Sequence, residues 1–183
     1  MKNYTLIFAF ILALALPEFA ISQNFPPMAV SPMDLEIARL DSDGPPVARV
    51  IYSRPQKKGR EIFGGLVPYN KVWRTGANEA TELTLYKPMT IGNNRLDAGT
   101  YTLYTIPKED SWTIIINEDT NVWGAFSYKK AKDVARIEVP VQETAAPVEA
   151  LSMIFKNETN GVTLLIGWDQ VYVEIPFKFA WAD

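Results

Sequence analysis

The chain has 183 residues, 48% of them apolar, and a formal charge of −3. That length buries enough surface to fold as one domain without crosslinks. It contains no histidine and no cysteine, which excludes imidazole general bases and Ser-His-Asp triads, thiolate nucleophiles, disulfides, and Cys/His zinc or iron–sulfur centres. A metal would have to be held by oxygen ligands alone, and mild acidity argues against a nucleic-acid partner.

The first residues read as a signal peptide: Lys2 supplies the positive end, Thr5 to Leu16 is apolar, Pro17 breaks the run, and small residues lead to a cleavage point before Gln23. The run is shorter than the roughly 20 residues a spanning helix needs, so stable membrane insertion is not expected. Export to the periplasm or the exterior follows as the expectation, with residues 23–183 as a single β-sandwich domain. Residues 23–33 carry three prolines and read as an extended lead-in.

Leu35, Ile37 and Leu40 alternate with charged residues as a strand, 41–46 is a turn cluster, and Val47–Tyr52 is the partner strand of a hairpin. The stretch from Tyr52 to Thr81 breaks this pattern with Gly59, Gly64, Gly65, Pro68 and Gly76, leaving room for short helical turns near Glu61–Phe63 and Tyr69–Trp73. Strand signals return at 82–86, 89–91, 95–97 and 100–106, with Gly92-Asn-Asn94 as a tight turn. Residues 111–117 form a β-branched apolar run suited to a central strand, whereas 121–132 is aromatic, then basic, and irregular. Strands at 134–141, 150–155, 162–168 and 171–179 complete the set. About ten short strands with turn signals between them predict an all-β fold, a β-sandwich or jelly-roll-like antiparallel domain with one irregular Gly-rich insert.

The strings YSRP (52–55), KGREIFGGLVPY (58–69), VWRTGANEAT (72–81) and AGTYTLYTIP (98–107), and WG followed by Tyr128 and Asp133, occur in one order. In these motifs the chain, from about Ser31 to its end, resembles the exported bacterial family called domain of unknown function 2911. The resemblance implies export and a compact β-rich domain, and attaches no activity. The acidic, proline-containing turn at 41–46 and the tail at Trp181 are local departures.

The insert concentrates Arg54, Arg60, Trp73, Arg74, Asn78 and Glu79, and Trp123 is a further aromatic candidate. Planar guanidinium forks suit carboxylate, phosphate or sulfate groups, and aromatic faces suit sugar rings. The bland reading of the same residues is a shaped loop in which Arg74 pairs with Glu79 or another carboxylate. Trp112 and Trp168, inside strand runs, are assigned to the core. Asp41-Ser-Asp-Gly44 is a turn rather than a calcium loop, and Lys57 and Lys58 are solvated charges rather than a phosphate loop. No metal site, cofactor or catalytic residue is expected. The favoured expectation is a non-enzymatic binding module for a carbohydrate or an anionic small ligand, monomeric or weakly associated. A carboxylate-dependent glycan hydrolase using Glu61, Glu79 or Asp133 is the alternative, and a structural envelope protein the third.

Overall fold

The computed structural model describes residues 23–180. The leader at 1–22 and the tail at Trp181 lie outside the described residues.

Two antiparallel sheets face each other across one apolar core. The larger runs in the order β1 (Met33–Arg39), β2 (Pro46–Ser53), β3 (Glu82–Leu85), β6 (Gly99–Pro107), β7 (Ser111–Asn117) and β8 (Asp133–Pro140). The smaller runs β5 (Asn94–Leu96), β4 (Met89–Ile91), β10 (Gly161–Phe179) and β9 (Gln142–Glu158). The predicted β-sandwich is the observed architecture. Its core holds Trp112, Trp168, Leu103, Ile114, Ile175 and Phe177, each contributing about 2–3 kcal/mol through burial.

The central strand β7 is buried from Trp112 through Asn117, on both faces. Its outer face is covered because residues 118–132 fold back over it: Tyr128 packs edge-on against Tyr104 at 5.2 Å, and the Asn117 amide donates to the Lys129 carbonyl at 3.2 Å. That explains an unbroken apolar run where alternation would otherwise be expected.

Two details differ from the sequence reading, and the facing of β1 adds one that alternation alone leaves open. No helical turn forms within the insert; among the described residues the helical piece is a single 3-10 turn at Lys130–Lys132. In β1 the apolar residues Met33, Leu35 and Ile37 face solvent while Asp34 and Glu36 are half-buried, because Asp34 is drawn inward to Arg54 at 2.9 Å. And β9 begins at Gln142 rather than Ala150. As the edge of its sheet, it accommodates the polar and small residues 142–150, Pro147 included, without burying them.

β10 doubles back on itself. Asp169 takes φ of +58°, and Gly161 then lies so close to the Phe177 carbonyl that a Cβ there would sit 2.0 Å from its oxygen. This fold-back places Trp168 and Asp169 at a sheet corner, beside the insert.

Candidate functional site

The insert is fastened to both sheets in turn. Leaving β2, the chain crosses to β9: the Lys57 N–H donates to the Glu149 carbonyl at 2.7 Å and the Leu151 N–H to the Pro55 carbonyl at 3.0 Å. Lys57 also pairs with Asp169 at the β10 corner. The chain then makes a tight loop through Gly64 and Gly65, where a Cβ on Gly65 would meet the Glu61 carbonyl oxygen at 2.8 Å. It returns to the large sheet at Trp73, which exchanges backbone hydrogen bonds with Thr105 of β6 at 2.8 and 3.0 Å.

Next to Arg74 the backbone is strained. Thr75, a β-branched residue, sits at φ of +56°, a conformation costing on the order of 1–3 kcal/mol. Buried partners hold it there: its hydroxyl lies 3.2 Å from that of Thr105 and its carbonyl accepts from the Thr81 hydroxyl at 2.8 Å. Gly76 follows because a Cβ would press on the Ser53 carbonyl oxygen at 3.1 Å.

This path encloses a cavity of about 270 Å³ lined by Gln56, Lys58, Arg60, Trp73, Arg74 and Trp168, with Val30 and Ser31 of the lead-in at its rim. Trp73 and Trp168 stack with ring centroids 6.1 Å apart and 18° between planes, and Phe63 meets both edge-on. Among the described residues no acidic side chain lines the cavity. The Arg74 Nε is buried without a hydrogen-bond partner, and desolvation pushes its guanidinium pKa down. Among the described residues no carboxylate lies within ion-pair distance of it, so the expected pairing of Arg74 with Glu79 is not formed. Arg60 donates to the Lys57 carbonyl at 3.0 Å and to the Gln56 carbonyl.

Arg60, Trp73 and Arg74 are thus brought together; the other sequence candidates are not. Arg54 is consumed in architecture, donating to Asp34 at 2.9 Å, to the Leu151 carbonyl at 3.0 Å and to the Ser152 hydroxyl at 2.8 Å, which staples the first hairpin to β9. Asn78 and Glu79 are exposed on the limb that pairs with the 121–124 loop, through the Glu79–Trp123 bridge and a 3.0 Å bond from the Gly124 N–H to the Asn78 carbonyl. Glu79 faces a separate hollow of about 200 Å³ that Glu82 also lines. Trp123 is 63% exposed and stacks on Phe126 at 5.5 Å, away from the cavity.

Of the other carboxylates weighed, Asp133 accepts from Tyr128 at 2.7 Å, from Asn117 at 2.8 Å and from Arg136 at 2.7 Å. Glu61 lies in the Gly64–Gly65 loop. Lys58, Gln56 and Trp168 were not singled out as ligand groups by sequence. Trp168 reaches the cavity through the β10 fold-back and the Lys57–Asp169 pair, neither of which leaves a local signature.

The family model described as Protein of unknown function (DUF2911) matches residues 40–177. The chain belongs to this DUF2911 family. The match begins in the first hairpin and ends in β10, so all the cavity-lining residues of the insert fall within the family domain. No curated protein and no solved structure matches the chain.

Proposed function

We propose that this protein is an exported, non-enzymatic binding module whose insert cavity takes a compact anion, a carboxylate or phosphate group on a small molecule. The observation that carries this reading is the uncompensated charge of Arg74: a guanidinium with a buried, unpartnered Nε, beside Arg60 and Lys58, in a cavity with no acidic side chain among its described lining residues. Proteins seldom leave such a cation unpaired, because desolvation without a partner is costly. A bound anion would supply the missing acceptor through charge-assisted, fork-like hydrogen bonds. The strained Thr75 that fixes the neighbouring backbone supports the same reading, since strain of this kind concentrates at ligand clamps. Export rests on the apolar leader of the sequence.

Calorimetric titration with inorganic phosphate, citrate and glucuronate tests the proposal. At least one should bind with affinity that falls as salt rises, and Arg74→Ala should abolish that binding while thermal unfolding changes little. If all three fail to bind, or if Arg74→Ala binds as the parent does, the reading is wrong.

A further inference from the structure

We infer that a second groove, on the opposite seam of the sandwich from the insert's junction with β9, is a binding site for a neutral, hydroxyl-rich ligand of the oligosaccharide class. The seam lies between β8 and the returning half of β10. Gln142 pairs with Tyr172 in antiparallel register. Continuing that register by two-residue steps would set Pro140 opposite Glu174 and Glu138 opposite Pro176. The two prolines have no N–H to donate, so a ladder cannot zip onward, and β8 remains the unpaired edge of its sheet. At the other end the β4–β5 turn closes the gap, with Gly92 packed against Ile137. What stays open is a groove of about 680 Å³, inside the range of about 300–1,000 Å³ typical of small-molecule sites.

The chemistry of its walls selects the ligand class. Its charges are largely cancelled within the protein: Arg136 is engaged by Asp133 and Glu138 by Lys108 at 2.5 Å. Among the described residues the Glu174 side chain, which lines the groove, has no hydrogen bond or ion pair, and Asn93 is likewise without a side-chain partner. Gln142 uses its amide oxygen to accept from Tyr172 at 2.8 Å, which leaves its amide N–H groups free. Free acceptors and free amide donors then stand over the apolar surfaces of Pro140, Pro176 and Ile137. A sugar hydroxyl both donates and accepts and can satisfy Glu174 and the amides together, while its C–H face rests on the prolines. The insert cavity has the opposite character, cationic and without a carboxylate among its described lining residues, so the two sites take different ligands.

Saturation-transfer NMR and calorimetry on the full chain, with maltotriose, cellotriose and chitotriose as neutral probes, test the inference. At least one trisaccharide should bind, with affinity reduced about tenfold or more by Glu174→Ala and also by Asn93→Ala, whose exposed position in a turn leaves folding intact. Arg74→Ala should leave this binding unchanged, which separates the two sites. The inference is overturned if none of the trisaccharides binds, if binding survives both groove substitutions, or if Arg74→Ala removes it.

Discussion

Arg54 and Arg74 are twenty residues apart in one insert, and they illustrate opposite uses of the same side chain. Arg54 has three acceptors and joins two sheets; Arg74 has a buried Nε with none. Their substitution should therefore move stability in opposite directions. Arg54→Ala should lower the unfolding free energy by about 2 kcal/mol, the half-exposed ion pair to Asp34 adding little beyond the hydrogen bonds. Arg74→Met, which keeps the volume and removes the desolvated charge, should raise it by about 1 kcal/mol. Urea unfolding of the two variants beside the parent measures both, and equal losses would show that Arg74 also serves architecture. The sequence marked both arginines as candidates, because composition shows that guanidinium groups gather and not which carbonyls they will meet. Asp34, Leu151 and Ser152 reach Arg54 only through pairings that span up to 98 residues. The two roles are distinguished by those distant partners alone.

At the scale of elements, the alternation of apolar and polar residues made most strands legible, and the continuous run at 111–117 identified the buried centre of the large sheet. The fold-back of β10 was not legible as such. Its two halves were visible as separate strands, but the closeness of Gly161 to Phe177 depends on a corner at Asp169, an ordinary-looking residue in a left-handed conformation. Gly161→Ala places a methyl group 2.0 Å from a backbone carbonyl oxygen and should cost on the order of 3 kcal/mol or more, since backbone cannot yield as a side-chain tip does. Gly59 is a useful contrast: its φ is +71° and a Cβ there would meet nothing within 4 Å, so Gly59→Ala should cost only the conformational penalty of about 1 kcal/mol. Denaturant midpoints of the two variants separate crowding from backbone conformation. The facing of β1 is not legible in sequence, because period-2 alternation specifies two faces without saying which one a distant arginine will draw inward.

For the molecule as a whole, the absence of histidine predicts a stability plateau across neutral pH, with the next titrations on the alkaline side. Burial raises the pKa of Tyr52, Tyr69, Tyr101 and Tyr104. Burial, then the hydrogen bond to Asp133, takes Tyr128 up to about 12. The folded state therefore holds these protons after the unfolded chain has begun to release them. Their stabilisation is complete below about pH 10 and is lost as pH rises toward 12. Thermal midpoints measured from pH 7 to 12 should be flat and then fall, and Tyr128→Phe should make the alkaline decline shallower; an unchanged slope would remove Tyr128 from the account. The insert is anchored to β9 through Lys57 and Leu151 and to β6 through Trp73, so the hollow it surrounds is framed by both halves of the sandwich. A ligand filling that hollow would act as a rivet through two plates, and sliding of one sheet over the other would first have to shear it.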